Sequence, residues 1–199
     1  AGLMKFVITK FAFFILMFQA FFVTGCTKSE ADSTDVVEVE QDISFEDCGY
    51  GVGDNPCNFS LTDQDNKKFN LWDHYGSAMV LDFSTMWCGY CRIAAGTVQE
   101  THDRYADQGF HYITILIENY NGSTVEQNDL QTWATAAGIT TAPVLAADRS
   151  MLDPSGESGW PVTSWPTFVI IDKEMTIYYG QRGWNEAAIE SAIQGALAE

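Results

Sequence analysis

The sequence predicts an α/β domain: a central mixed β-sheet flanked by helices, with a β-hairpin extension at its N-terminal end. Three observations carry this. Apolar runs at Met79–Phe83, at Phe110–Ile117 and in the stretch ending at Asp172 have the length and residue types of buried strands. Amphipathic segments of helical period lie between and after them, with glycines as stops. The order βαβαβ followed by ββα is that of a sheet with crossover helices.

Taken in order, Asn58–Thr62 and Lys68–Leu71 alternate polar and apolar around Asp63-Gln64-Asp65-Asn66, which reads as the hairpin. Trp72–Gly76 reads as a short turn or helix stub leading into the strand at 79–83, whose apolar run is interrupted by one carboxylate, Asp82. From Arg92 to Gln108, Ile93, Ala94, Val98, Thr101, His102 and Tyr105 share roughly one face and Gly109 supplies the stop, so this is a helix. Phe110–Ile117 is a strand, Glu118–Ser123 a loop, Thr124–Gly138 a second helix and Pro143–Ala147 a short strand. Asp148–Ser164, rich in Gly, Pro and Ser, reads as an irregular excursion. Apolar runs on either side of Asp172-Lys173-Glu174 make an antiparallel pair, the second at Met175–Tyr179. Gly180 and Gly183 then break the chain before a last helix, Glu186–Leu197.

The chain has 199 residues, 46% of them hydrophobic and 14% aromatic, which suffices for one domain with a real core. Ten basic residues against 27 acidic ones give a formal charge of −17. That makes nucleic acid a poor partner and an anionic membrane surface an equally poor one.

Residues 1–25 read as an export signal. Lys5 and Lys10 are its only charges, and Phe11–Val23 is an apolar core of secretory length, shorter than the roughly 20 residues of a spanning helix. Its end, Val23-Thr24-Gly25-Cys26, resembles the lipobox of bacterial lipoproteins. The resemblance implies cleavage before Cys26 and lipidation of its thiol, so that the membrane is held through a lipid anchor. Residues 26–47 carry acidic side chains from Glu30 to Asp47 among Ser and Thr and read as a lipid-anchored acidic linker. The folded domain is then 48–199, in an oxidising compartment where disulfides persist.

With Cys26 set aside, four cysteines remain. Cys48 and Cys57 flank a Gly-rich segment able to bring the sulfurs together, and are read as a structural disulfide. A second redox pair is the alternative, because Cys-Gly-Tyr occurs at both 48 and 88. Cys88-Gly89-Tyr90-Cys91 lies where a strand hands over to a helix. The unpaired N–H groups and macrodipole of a helix start favour a thiolate on Cys88, with Cys91 one turn deeper to close a disulfide. A zinc half-site would need a second ligand pair, which neither Cys48/Cys57 nor the scattered His74, His102 and His111 supplies. No metal and no cofactor are expected.

These residues carry a family resemblance. Trp87-Cys88-Gly89-Tyr90-Cys91 resembles the Trp-Cys-x-x-Cys site of thioredoxin-fold proteins, and Trp165-Pro166-Thr167 resembles their cis-proline loop. The hairpin and the extra helix and strand at 124–147 are similar to the exported, membrane-tethered branch that includes the TlpA-like and ResA-like thiol-disulfide oxidoreductases. The resemblance implies a thioredoxin-like fold over about residues 58–198. It makes Cys88 the attacking thiolate, Cys91 the resolving thiol, and Asp82 a buried acid that helps deprotonate the resolving cysteine. It assigns substrate binding to Trp87, Trp165 and Pro166, with Pro166, if cis, leaving an open strand edge beside the disulfide. Trp165 is bulkier than the Ile, Val or Thr often found there, and Gly96 stands where a helix-kinking proline is usual. Gly89-Tyr90 matches the dipeptide of periplasmic disulfide isomerases and argues for a less strongly reducing pair.

The expected function is a membrane-anchored thiol-disulfide oxidoreductase acting on exported protein dithiols and disulfides. Reduction is the favoured direction, with a membrane or periplasmic electron donor. The expected place is the cell envelope, facing the periplasm; Thr27 after Cys26, where inner-membrane retention uses aspartate, favours the outer membrane over the inner. Disulfide isomerase or oxidase, thiol peroxidase and non-catalytic binding lipoprotein are the alternatives. Thr85 stands three residues before Cys88 as in peroxiredoxins, but Leu81 replaces their proline and Cys91 favours dithiol exchange.

Overall fold

A computed structural model describes residues 43–199, so the export signal, Cys26 and most of the acidic linker lie outside the described residues. Two short strands, β1 (Cys48–Gly49) and β2 (Asn55–Pro56), pair in parallel within the Cys48–Cys57 loop. The main sheet contains β3 (Ser60–Asp63), β4 (Lys68–Asn70), β5 (Ala78–Thr85), β6 (Phe110–Glu118), β7 (Val144–Ala146), β8 (Thr167–Ile171) and β9 (Ile177–Arg182). Their spatial order is β4-β3-β7-β6-β5-β8-β9. The helices are α1 (Gly89–Tyr105), α2 (Gln127–Ala137) and α3 (Glu186–Ala198). This is the mixed α/β sheet with flanking helices that the sequence predicts.

β5 is the central strand, parallel to β6 and antiparallel to β8, and all its residues are buried. A strand covered on both faces needs an apolar run without alternation, which is what Ala78–Phe83 supplies apart from Asp82. Met79, Leu81 and Phe83 enter one core cluster, Ala78 and Val80 the other. The chain steps from β5 to β6 to β7 in one direction, so right-handed crossovers put α1 and α2 on the same face. α3 joins that face through Ile189, Ala192, Ile193 and Ala196.

The opposite core cluster draws no side chain from an α-helix among the described residues. The excursion at 148–164 and the Cys48–Cys57 loop cover it instead. Trp160, 1% exposed, lies 5.3 Å from Phe83 and 5.2 Å from Tyr50 between ring centroids. The Asp153 carboxylate accepts hydrogen bonds from the backbone N–H and hydroxyl groups of both Ser155 and Ser158. The irregular stretch is therefore a packed cover whose turns are tied by one side chain.

Several boundaries differ from the sequence reading. α1 begins at Gly89, ahead of the periodic pattern, because Cys88 caps it, and it runs through Gly96 unbroken. A short 3-10 turn at Ala106–Gln108 follows and Gly109, at φ 73°, ends it, a left-handed position that suits glycine. α2 begins at Gln127 and not Thr124, because Asp129 accepts the Glu126 N–H at 2.9 Å and caps the helix there. Met175, at φ 59°, belongs to the turn, while Gly180 pairs with Val169 inside β9 and does not break the chain. Glycine weakens a strand but keeps both ladder groups, and the register carries it. Phe45, within the segment read as linker, packs edge-on against Trp72 at 5.4 Å.

The fold gathers the three histidines that the sequence scatters. His74 lies 4.7 Å from His111, and His111 lies 6.0 Å from His102, between ring centroids. His102 Nδ1 accepts the Tyr112 N–H at 3.1 Å, satisfying β6 just before its pairing with β7 begins at Thr114. Burial lowers the pKa of all three. Among the described residues no group of three or more His, Cys, Asp or Glu side chains is arranged to hold a metal ion.

Cys48 and Cys57 are bonded, with Cα atoms 4.7 Å apart. A crosslink closing so short a loop removes about 2–3 kcal/mol of unfolded-state entropy. Replacing both cysteines by serine is expected to lower the unfolding free energy by about that amount in urea titrations. An unchanged midpoint would show that the bond contributes nothing to stability.

Candidate active site

The turn after β5 positions the dithiol. The Met86 N–H donates to the Glu118 carbonyl at 2.9 Å and the Cys88 N–H to the Thr85 carbonyl at 3.2 Å, so the chain passes from strand to helix within a few residues. Arg92 closes the turn from the helix side, its Nη1 donating to the Met86 carbonyl at 3.0 Å. Cys88 is the N-cap of α1, extended at φ −77° and ψ 122°, and its sulfur accepts the Cys91 N–H at 3.2 Å. First-turn amides have no helical partner and need an acceptor. A thiolate accepts better than a thiol, so the position favours the anion and lowers the cost of ionising Cys88.

Cys88 and Cys91 are bonded to each other, with Cα atoms 5.2 Å apart. Cys88 is 8% exposed and Cys91 fully buried, so attack from solvent meets Cys88 first.

Asp82 lies on the α1 face of β5, wholly buried. Its Oδ1 accepts the Ser84 hydroxyl at 2.6 Å. Its Oδ2 has no hydrogen-bond partner among the described residues, and neither do the buried Tyr112 hydroxyl and Thr114 Oγ1. Thr114 is the cross-strand neighbour of Asp82 and Tyr112 that of Val80, so these polar groups line one stretch of the β5–β6 face. Burial pushes the Asp82 carboxyl up to about 7, with the Ser84 hydrogen bond pulling against it. An acid so placed exchanges its proton near neutrality. The Tyr112 hydroxyl is raised well above its usual value by burial and, secondly, by the Asp82 charge.

On the other side of β5, the Trp165–Pro166 peptide bond is cis and Thr167 pairs with Phe83. Pro166 therefore stands beside the strand end from which the turn to Cys88 departs. Trp165 is half-buried, and Trp87 is 43% exposed. The fold brings Cys88, Cys91, Asp82, Trp87, Trp165 and Pro166 to the same end of the central strands. Cys48 and Cys57 do not join them: their loop packs on the opposite face through Tyr50.

Sequence reasoning missed two residues here, Glu118 and Arg149. Glu118 Oε2 accepts the Trp87 indole N–H at 2.9 Å and Oε1 accepts the Arg149 Nε–H at 2.5 Å. The hydrogen bond from Arg149 holds the Glu118 carboxyl below the usual carboxylate range. The available signal was topological. Parallel neighbours end side by side, so an acid closing one apolar run falls next to the turn that closes the other.

A model of the AhpC/TSA family matches residues 52–180, spanning the hairpin, the dithiol and the cis-proline. The chain belongs to the AhpC/TSA family. It is 25% identical to the thioredoxin-like protein YneN of Bacillus subtilis (strain 168) over 137 residues, 69% of this chain and 75% of that one. Among solved structures it is similar to the exposed lipoprotein thioredoxin Etrx1 of Streptococcus pneumoniae, with 26% identity and a TM-score of 0.57 over 70% of this chain and 99% of that one. In fold it is also similar to a thiol:disulfide interchange protein of Chlorobium tepidum, with 20% identity and a TM-score of 0.58 over 77% of this chain and 99% of that one. This member of the family is a thiol-disulfide oxidoreductase of the thioredoxin-like type.

The Asp82 carboxyl titrates near 7 in the fold and near 3.8 when unfolded, so the folded state holds the extra proton. Its contribution is most favourable below about pH 3.8 and is lost as pH rises to about 7, by about 4 kcal/mol in all. Asp82→Asn is expected to remove that loss, making the protein more stable than wild type at pH 8 but not at pH 4. It should also slow disulfide exchange by about 100-fold or more and erase the inflection near pH 7 in its rate. Coincident unfolding curves at pH 8 together with an unchanged pH profile would refute this role.

Proposed function

We propose that the protein is a lipid-anchored reductase of disulfides in exported proteins, working through Cys88. The observation that carries the reading is the Cys88 sulfur at the N-cap of α1, accepting the Cys91 amide, with a buried acid of near-neutral pKa on the strand beneath.

In the reduced protein the Cys88 thiolate attacks one sulfur of a client disulfide. A bond forms between Cys88 and that sulfur, and the other client sulfur leaves as a thiolate, taking a proton from solvent. Asp82, as the carboxylate, accepts the proton of Cys91. The Cys91 thiolate then attacks Cys88 Sγ, closing the Cys88–Cys91 bond and releasing the second client thiolate, which is protonated in turn. The client gains two electrons and the dithiol loses two, which an external dithiol donor in the membrane or periplasm returns. Pro166 has no N–H to spend on the sheet, and Trp87 and Trp165 provide apolar walls for the client segment lying beside it.

The anchoring rests on the sequence of residues 1–26, an apolar stretch ending in Val23-Thr24-Gly25-Cys26, followed by an acidic segment ahead of the 48–199 domain. The likeness to an exposed lipoprotein thioredoxin supports it. Cys48–Cys57 is assigned a structural role, since it belongs to the cover of the opposite face.

With Cys91→Ser the mixed disulfide cannot resolve, so client adducts should accumulate on non-reducing gels of cell envelopes and vanish with reductant. Cys88→Ser should give none. For a reductase the Cys88/Cys91 equilibrium potential against glutathione should lie nearer about −270 mV than about −120 mV. No adducts from Cys91→Ser, or a potential at the oxidising end, would defeat the proposal. Metabolic labelling with a radioactive fatty acid should mark the wild-type chain and leave Cys26→Ser unlabelled; equal labelling of both would remove the lipid anchor.

A further inference from the structure

The two indoles beside the dithiol come from distant parts of the chain, and one carboxylate connects them. Glu118 closes β6 with its side chain 11% exposed, and it divides its oxygens. Oε2 accepts the indole N–H of Trp87, the residue before Cys88, at 2.9 Å. Oε1 accepts the Nε–H of Arg149, whose guanidinium carbon lies 5.9 Å from the ring centroid of Trp165, the residue before Pro166. Trp87 is 43% exposed and the Arg149 side chain 63%, so packing alone does not hold either in one rotamer. A charge-assisted hydrogen bond to a nearly buried acceptor does, being roughly twice as strong as a neutral one.

We propose that Glu118 is a positioning residue for disulfide exchange: through Trp87 on one side and Arg149–Trp165 on the other, it ties the two walls of the client-binding edge into one unit. The inference rests on the reading that clients react at Cys88 beside Pro166. Glu118 touches neither sulfur in this arrangement and acts through its partners. Arg149 is the latch, and a lysine there would lose the planar group that lies over Trp165.

The test uses the full chain with insulin as model client and dithiothreitol as terminal reductant. Glu118→Gln keeps an acceptor for the Trp87 indole and removes the charge; Arg149→Met keeps an apolar stem and removes the guanidinium. Each should raise the KM for insulin about tenfold with kcat within about twofold. The double variant should be no worse than either single one, because both break the same bridge. Arg149→Lys should not restore the KM. In 19F spectra of the 5-fluorotryptophan protein, Glu118→Gln should shift the Trp165 resonance as well as that of Trp87. An unchanged KM in both single variants, multiplied effects in the double variant, or a Trp165 resonance indifferent to Glu118 would each overturn the proposal. If wild type does not turn over insulin, the reading of clients at Cys88 is what fails. The fluorine spectra need no client and still decide whether Glu118 couples the two indoles.

Discussion

A cysteine sulfur stays reactive inside a protein only where something favours its anion, and here that is the open N-terminus of α1. The contact from the Cys91 amide to Cys88 Sγ at 3.2 Å requires the helix to start at one residue and no other. That start is set by the turn from β5, which the Glu118 and Thr85 carbonyls hold on one side and Arg92 on the other. The turn in turn depends on β5 being immobile, which follows from its burial between β6 and β8 with side chains locked into both core clusters. The dithiol is therefore anchored to a strand that is buried along its whole length.

Burial of charge divides the acids into two populations. Most of the acidic side chains among the described residues are exposed or half-buried. Among the described residues Asp82, Glu118 and Asp172 are buried, and each is handled differently. Asp172 caps the β8–β9 turn by accepting the Glu174 and Thr176 amides, a structural duty. Glu118 is paired with a guanidinium and an indole, so its charge is kept. Asp82 has one hydroxyl and an unpartnered oxygen, so its charge is penalised and its proton is exchangeable near neutral pH. A carboxylic acid left in that condition lowers stability at neutral pH, because burial disfavours its charged form.

The two faces of the sheet use different means to exclude water. One is covered by three helices whose glycine and N-cap signals are local. The other depends on Trp160, Tyr50 and their neighbours, presented by an excursion that has little regular structure and by a loop closed by a disulfide. A short loop around a Gly-rich segment has too few contacts to order itself, which is where a covalent crosslink has most effect.

What the sequence by itself determined was the set of local features: the strand-to-helix dithiol, the order of elements, the hairpin and the helix stops. Each depends on residues a few positions apart, as with Cys88 and Cys91 or Gln108 and Gly109, so periodicity and spacing report them. The resemblance added Asp82 and Pro166 at fixed offsets from those features. Only the tertiary structure decided what long-range packing controls: that α1 continues unbroken through Gly96, that Gly180 stays in β9, that the three histidines meet, and that Asp148–Ser164 is a core cover. It also brought Glu118 and Arg149 to the site. The pair is separated by 31 residues and carries no motif, because a charge pair made across parallel strand ends depends on sheet order and register. Those quantities exist only once the chain has folded.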